Sequence, residues 1–351
     1  MVLNLISLTG GFVLGWIATW CSIKLAHRFN IRDLPVKRSS HTIPTPRIGG
    51  LGIAGPFILF HIFFLHQGQV AGISIPDRYL VPVLVGGIAC FIFGLSDDLC
   101  EMKAILKLLF QCVCAMLPVA MGFRIHSLAR FTGLVLPPLP GSLLAFCWIL
   151  LMINAFNFMD GMNGKAATFA MVAALFLSRL AAGSLAFVPP MLAFLAGSCI
   201  GFLVFNLTPA RTFMGDSGSQ FLGYFLGVLP LYLHSHDPER YPFGSFVILL
   251  FPFLYDALYT LIRRIRRGEN LFEAHRSHLY QRLLIAGWTH SGVLRLVFVT
   301  YLICGISSLV FAVTHETKIR IVMCLLTILV MGAYTIFVWS EEKKNIRTGS
   351  P

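Results

Sequence analysis

Charge is scarce in this sequence. Asp, Glu, Lys and Arg make up only 12% of its 351 residues, apolar residues make up 57%, and the mean hydropathy is +0.79. Soluble domains carry about a quarter charged residues, so an ordinary cytosolic enzyme and a disordered chain are both excluded. Carboxylates are rarer still: 15 acidic against 27 basic residues give a net charge of +12. In a chain this apolar, the excess reads as loops facing the cytoplasm rather than as a nucleic-acid surface, and no nucleic acid is expected as a partner. The nine cysteines are scattered, mostly through apolar runs. No C-x-x-C and no Cys/His spacing suited to zinc occurs, which excludes a disulfide scaffold and a zinc site. Residues 1–20 contain no Lys or Arg. The basic start of a cleaved signal peptide is therefore missing, and the first apolar run reads as a retained helix. There is also no H-E-x-x-H, no internal repeat and no polar stretch long enough for a separate soluble domain.

Long apolar runs fill the space instead. They fall at about 3–26, 48–66, 79–96, 104–122, 142–158, 164–182, 187–206, 218–234, 243–262, 291–313 and 319–339. A helix needs about 20 residues to cross a bilayer. The pattern predicts an all-α, polytopic integral membrane protein with about eleven transmembrane helices, forming one domain over 1–351. Clustered glycines (Gly10, Gly11, Gly15; Gly49, Gly50, Gly52, Gly55; Gly86, Gly87) allow close helix approach and leave room for a homodimer. An odd number of spans places the termini on opposite sides. Most Lys and Arg lie in the loops 27–47, 97–103, 159–164, 207–217 and 263–290 and at the C-terminus. These are therefore read as cytoplasmic, and the N-terminus as periplasmic. The Arg263–Arg267 cluster suits anionic lipid headgroups.

The informative residues are polar groups set against apolar helices, each of which costs roughly 2.5–3.5 kcal/mol at mid-bilayer. All fall on the side read as cytoplasmic. Asp97 and Asp98 end the third run in GLSDDL, where two carboxylates oppose the helix dipole and repel each other. A cation relieves both penalties: Lys103 and Lys107, as an interfacial ion-pair cluster, or a divalent metal, with a proton-transfer role as the other reading. The fifth run ends NAFNFMDGMNG. Its Asn154, Asn157 and Asp160 share one helix face and Asn163 opens the next helix, so the stripe reads as a wet cavity or as interhelical hydrogen bonding. In FNLTPARTFMGDSGS, Asp216 stands between glycines ahead of a helix. That is either a simple N-cap or a carboxylate for metal beside backbone donors for phosphate. His275 and His278, with Arg276 and Arg282, lie in AHRSHLYQRL on a basic loop that can hold a diphosphate. Oxygen-rich ligands of this kind suit Mg²⁺, with Mn²⁺ as an alternative, and a nucleotide diphosphate.

In order and spacing these motifs, from RSSHTIPTPRIGG (38–50) to HRSHLYQRL (275–283), resemble the polyprenyl-phosphate N-acetylhexosamine-1-phosphate transferases, of glycosyltransferase 4 type. The resemblance spans almost the whole chain. It implies a bacterial inner-membrane enzyme that transfers a sugar 1-phosphate from a UDP-N-acetylhexosamine to undecaprenyl phosphate, releasing UMP. By resemblance, Asp216 is the Mg²⁺-binding Asp, with Asp98 as a further candidate ligand, and Asp97 and Asp98 are the paired Asp motif, one of them a base. Asn157 and Asp160 match the nucleotide cavity, and Asn206 and Phe213 the uridine pocket. Thr45, Pro46, Gly49 and Gly50 match a T-P-x-x-G-G stretch after the first span. Substrate-binding candidates are therefore Thr45, Arg47, Lys107, Asn154, Asn157, Asp160, Asn163, Asn206, Phe213, His275, Arg276 and His278. Three positions depart from the peptidoglycan branch and its relatives: Glu101 replaces a Lys, Asn163 replaces an Asp, and only His278 of an H-x-H-H motif is kept. The form H-R-S-H-L-Y-Q is similar to the O-antigen-initiating branch. The alternatives are a phospho-N-acetylmuramoyl-pentapeptide-type transferase and, from another class, a transporter or lipid flippase. Transport sites, however, sit near the midplane and go with repeats.

Overall fold

The computed structural model describes residues 1–34, 43–70, 77–100, 102–127, 135–183, 185–270 and 275–348. Glu101 and residues 38–42 of the first motif lie outside the described residues. In chain order the helices are α1 (Val2–Arg28), α2 (Leu51–Val70), α3 (Asp77–Tyr79), a π-helical stretch (Leu80–Val85) running into α4 (Gly86–Cys100), α5 (Ala104–Ala120), α6 (Pro138–Met159), α7 (Lys165–Ala181) and α8 (Val188–Asn206). They continue as α9 (Gly215–His236), α10 (Phe243–Arg266), α11 (Leu279–Ile285), α12 (His290–Val313) and α13 (Thr317–Thr348). Each apolar run coincides with one of these helices. Among the described residues, seven stretches are long and apolar enough to cross a membrane: Val2–Arg28, Leu80–Cys100, Pro138–Met159, Val188–Asn206, Phe243–Arg266, His290–Val313 and Thr317–Asn345. The protein is thus an all-α polytopic membrane protein.

Small residues set the tightest crossings. The buried side of α1 is Ser7, Gly11, Gly15, Thr19, Ser22 and Ala26, one residue per turn. It packs on α8, where a Cβ on Gly15 would stand 2.7 Å from the Ser198 Cα and one on Gly201 would stand 2.5 Å from the Phe12 carbonyl oxygen. Lipid tails are as apolar as leucine, so close backbone approach is what holds such helices together. The opposite side of α1 presents Leu5, Ile6, Val13, Leu14, Ile17 and Trp20 outward. α8 and α9 run through the centre and are buried along nearly their whole length.

Two further contacts place the polar ends. A two-residue antiparallel pairing, β1 (Arg32–Asp33) with β2 (Thr45–Pro46), sets Arg32 opposite Pro46 and Asp33 opposite Thr45. From β2 the chain runs along the 212–214 segment: Phe213 N donates to Pro46 O at 2.7 Å, Gly49 N to Phe213 O at 2.9 Å and Gly50 N to Met214 O at 2.8 Å. The segment that opens α2 therefore also fixes the start of α9. At the chain's other end, α13 is tied to α11 by the Arg282–Glu342 ion pair and by Asn345 Nδ2, which donates to Ile285 O at 3.1 Å.

Candidate active site

The acidic cluster forms where the end of α4 meets the start of α9. Gly94 makes this possible, since a Cβ there would stand 2.8 Å from the Ser217 Cα. One turn later, Asp98 accepts from the backbone N–H of Asp216 at 2.9 Å and of Ser217 at 3.0 Å, one on each oxygen. The first N–H groups of a helix have no partner within it, so Asp98 caps α9 from another helix. Gly215, at φ +70°, makes the turn; a Cβ there would stand 2.5 Å from Asp98 Oδ2. Arg47 Nε lies 3.5 Å from Asp98 Oδ1, and its guanidinium also donates to Asp97 O at 3.2 Å. In this arrangement Asp98 is a buried capping group that aims Asp216.

Asp216 is the more open carboxylate. Its Oδ1 accepts from Asn157 Nδ2 at 2.8 Å, and its Oδ2 accepts from Gln220 Nε2 and Lys107 Nζ, each at 3.2 Å. Lys107 also pairs with Asp97, so one ammonium bridges carboxylates from α4 and α9. Asp97 Oδ1 in turn accepts from Met102 N at 2.7 Å. Among the described residues, no three His, Cys, Asp or Glu side chains form a ready metal cage. Magnesium rarely uses one; it takes one or two carboxylates and fills its shell with water and substrate phosphates. Asp216, partly exposed beside Asp97, fits that donor chemistry.

A second cluster lies behind the first, around α10 and α11. Asp256 is buried in α10. Its Oδ1 accepts from Leu279 N at 2.9 Å and lies 3.4 Å from His278 Nδ1. Lys165 is 2% exposed, with its ammonium 4.1 Å from the Tyr280 ring centre, 4.6 Å from that of Phe253 and 2.9 Å from Met159 Sδ. A cation against two aromatic faces is stabilised by their quadrupoles. Asp160 stands between the two clusters at the end of α6. Burial, reinforced by the charges of Asp216 and Asp98 and opposed by Lys165, pushes its carboxyl well above the usual range. His275 Nδ1 faces the Ser277 hydroxyl at 2.9 Å, and burial with neighbouring His278 and Arg264 lowers this imidazole to about 4.

The residues singled out from sequence thus separate by role. Asp97, Asp98, Asp216, Asn157, Arg47 and Lys107 share the first cluster. His275 and His278 belong to the second, their rings 5.0 Å apart. Arg276, half-buried, lies between them in sequence. Asn154 turns away to Gln111 Oε1 at 3.0 Å. Asn163 reaches Thr208 Oγ1 at 3.3 Å. Asn206 is a buried staple: its oxygen accepts from Gly164 N and its amide donates to Thr212 O, both at 2.8 Å. Thr45 is buried and donates to Ile43 O, and Phe213 contributes its backbone to the α2–α9 seam. Sequence reasoning missed Asp256, Lys165 and Gln220. A carboxylate inside the apolar run FPFLYDALY is the signal that could have found Asp256.

The chain is similar to known proteins along most of its length. The model of the family described as "Glycosyl transferase family 4" matches residues 80–234, which hold Asp97, Asp98, Lys107, Asn157, Asp160 and Asp216. The decaprenyl-phosphate N-acetylglucosaminephosphotransferase of Mycobacterium leprae is 30% identical over 98% of this chain and 92% of its own. The protein of the same name in Mycobacterium tuberculosis is 32% identical over 87% of this chain and 80% of its own. A probable undecaprenyl-phosphate N-acetylglucosaminyl 1-phosphate transferase of Bacillus subtilis is 29% identical, covering 82% and 79%. With relatives matched along most of their length and the acidic cluster inside the matched region, the chain belongs to glycosyl transferase family 4, alongside these polyprenyl-phosphate phosphotransferases.

Proposed function

We propose that this protein transfers an N-acetylhexosamine 1-phosphate from a UDP-sugar to undecaprenyl phosphate, releasing UMP and leaving an undecaprenyl-diphosphate sugar. The observation that carries the reading is the meeting of Asp216, Asp97, Asn157 and Lys107 at one end of the helix bundle. A lipid acceptor keeps its tail among the helices and its phosphate at that end, where a soluble donor can meet it. The orientation that goes with this is eleven spans in a bacterial inner membrane, with the N-terminus periplasmic and the acidic end and C-terminus cytoplasmic, as the basic loops favour.

In this reading Asp216 is the principal ligand for Mg²⁺, and Asp98 supports it by capping the helix that carries it. When bound, such an ion neutralises charge on a diphosphate. Asp97, which accepts from the backbone amide of Met102 and pairs with Lys107, takes the proton of the acceptor phosphate. An acceptor oxygen attacks the β-phosphorus in line and the bond to UMP breaks. The protein mainly positions groups and stabilises charge. Arg47 and Lys107 face the anionic donor. His275, Arg276 and His278 line the approach from the α10–α11 side, and Asp160 and Asn163 frame the turn between. The departures at Glu101 and Asn163 and the motif H-R-S-H-L-Y-Q favour the O-antigen-initiating branch over the peptidoglycan one. A transporter is disfavoured because the acidic cluster gathers at helix ends rather than at mid-helix.

The test is incubation of purified protein with undecaprenyl phosphate, Mg²⁺ and a panel of UDP-sugars, following UMP. UMP release with one UDP-N-acetylhexosamine, lost in Asp216→Asn, is the expected result. Release of UMP at the wild-type rate by Asp216→Asn would remove its assigned role.

A further inference from the structure

A cavity lies at the other end of the same helices. It has a volume of about 390 Å³ and is lined by Arg78, Gly122, Arg124, His126, Ser142 and Ser235. Arg78 precedes the α4 span, Gly122, Arg124 and His126 follow α5, Ser142 lies in the first turns of α6 and Ser235 in the last turn of α9. The opposite ends of these four helices carry Asp98, Lys107, Asn157 and Asp216. On α9, Asp216 and Ser235 are about five turns apart, roughly 28 Å, which is close to the thickness of a bilayer's hydrocarbon core. The cavity therefore faces the other side of the membrane from the acidic cluster.

Its chemistry has one sign. Among the described residues it is lined by two guanidinium groups and no carboxylate, and the side chain of neither Arg78 nor Arg124 makes a hydrogen bond or an ion pair. Gly122, at φ +87°, leaves room for Arg78, whose terminal nitrogen would stand 3.4 Å from a Cβ there. The backbone N–H of His126 donates to His234 Nε2 at 3.0 Å, which ties this segment to α9. Yet His126 Nδ1 and Ser235 Oγ are buried without a hydrogen-bond partner. Both atoms lie behind the cavity's surface, so the donors a ligand there would meet are the guanidinium groups of Arg78 and Arg124. Guanidinium forks match the oxygens of phosphate, and the volume lies within the range of about 300–1,000 Å³ typical of small-molecule sites.

We propose that this cavity binds a phosphate group, carried either by the headgroup of an anionic lipid or by inorganic phosphate, on the membrane face opposite the acidic cluster. The inference stands apart from the reaction proposed above, since it uses none of those residues.

The test uses full-length protein in phosphatidylcholine nanodiscs, in the same discs with phosphatidylglycerol added, and in phosphatidylcholine discs with inorganic phosphate. Bound lipid is read by native mass spectrometry and thermal unfolding in parallel. Wild type should retain phosphatidylglycerol over phosphatidylcholine, and its unfolding temperature should rise. Arg78→Gln with Arg124→Gln should weaken retention by about tenfold or more, the scale of losing charge-assisted hydrogen bonds. Lys318→Gln, which removes an exposed charge at the start of α13, should leave it unchanged. Should the double variant not fold, Ser142→Phe fills the cavity with both charges intact and should also release the lipid. A rise with inorganic phosphate alone, lost in the same variants, assigns the site to the free ion and upholds it. Equal retention by wild type and the cavity variants, or no response to either probe, overturns it.

Discussion

Asp98 gives both carboxylate oxygens to the amides that open α9. Replacing it by Ala removes a cap, costing about 0.5–2 kcal/mol, and frees Asp216 to wander. Asp98→Ala should therefore unfold at a lower temperature in detergent and lose most turnover, while Asp98→Asn, which keeps one acceptor, should retain more of both. Equal stability of wild type and Asp98→Ala would remove the capping role. Gly215→Ala should do as much damage as losing Asp98, because it combines a positive φ with a collision against that carboxylate. His275 supplies a pH dependence. Its folded value of about 4 lies below the ordinary 6.5, so the folded state favours the neutral ring. The unfolded chain takes up this proton first as pH falls. Stability is then full above 6.5, declines between 6.5 and about 4 and levels off below. His275→Gln should make the decline in unfolding temperature across that window shallower; an unchanged slope would assign it to other groups. Much of the first cluster was legible from residue type alone, because carboxylates and amides beside apolar helices are conspicuous. What each oxygen faces was not. The amides that Asp98 caps lie more than a hundred residues downstream, and no local pattern encodes that pairing. The surroundings of Lys165 were hidden for the same reason: its aromatic partners Tyr280 and Phe253 come from later parts of the chain.

Among the elements, the α1–α8 pair is the clearest case of a sequence pattern with a structural cause. Gly11 and Gly15 stood out as a small-residue stripe, and the structure presses that stripe against α8 at backbone distance. Gly15→Leu must push the helices apart, at a cost of about 1–3 kcal/mol or more for overpacking. It should lower the unfolding temperature while leaving donor affinity in any folded fraction intact. Gly10, which would meet only the tip of the Phe194 ring at 3.8 Å, should tolerate Ala. A Gly15→Leu variant as stable as wild type would mean that α1 is only loosely held. The eleven apolar runs all became helices because hydropathy and length suffice to locate them. Their pairing did not follow from sequence: α1 packs on α8 and α4 on α9, across long stretches of chain.

For the whole molecule, sidedness is the property to measure. Lys344 and Lys318 are exposed near opposite ends of α13. In intact cells, a membrane-impermeant maleimide should label Lys318→Cys and spare Lys344→Cys until the membrane is opened, and the reverse pattern would invert the proposed orientation. The acidic cluster at one end of α4, α5, α6 and α9 and the arginine-lined cavity at the other make that experiment bear on both sites at once. Lys107 has a consequence at this scale too. Its ammonium already reconciles Asp97 with Asp216, so the repulsion between those helix ends is quenched by the polypeptide itself. Insertion and assembly of the bundle can then be completed before any cargo arrives, and chelators should silence such a protein without unravelling it.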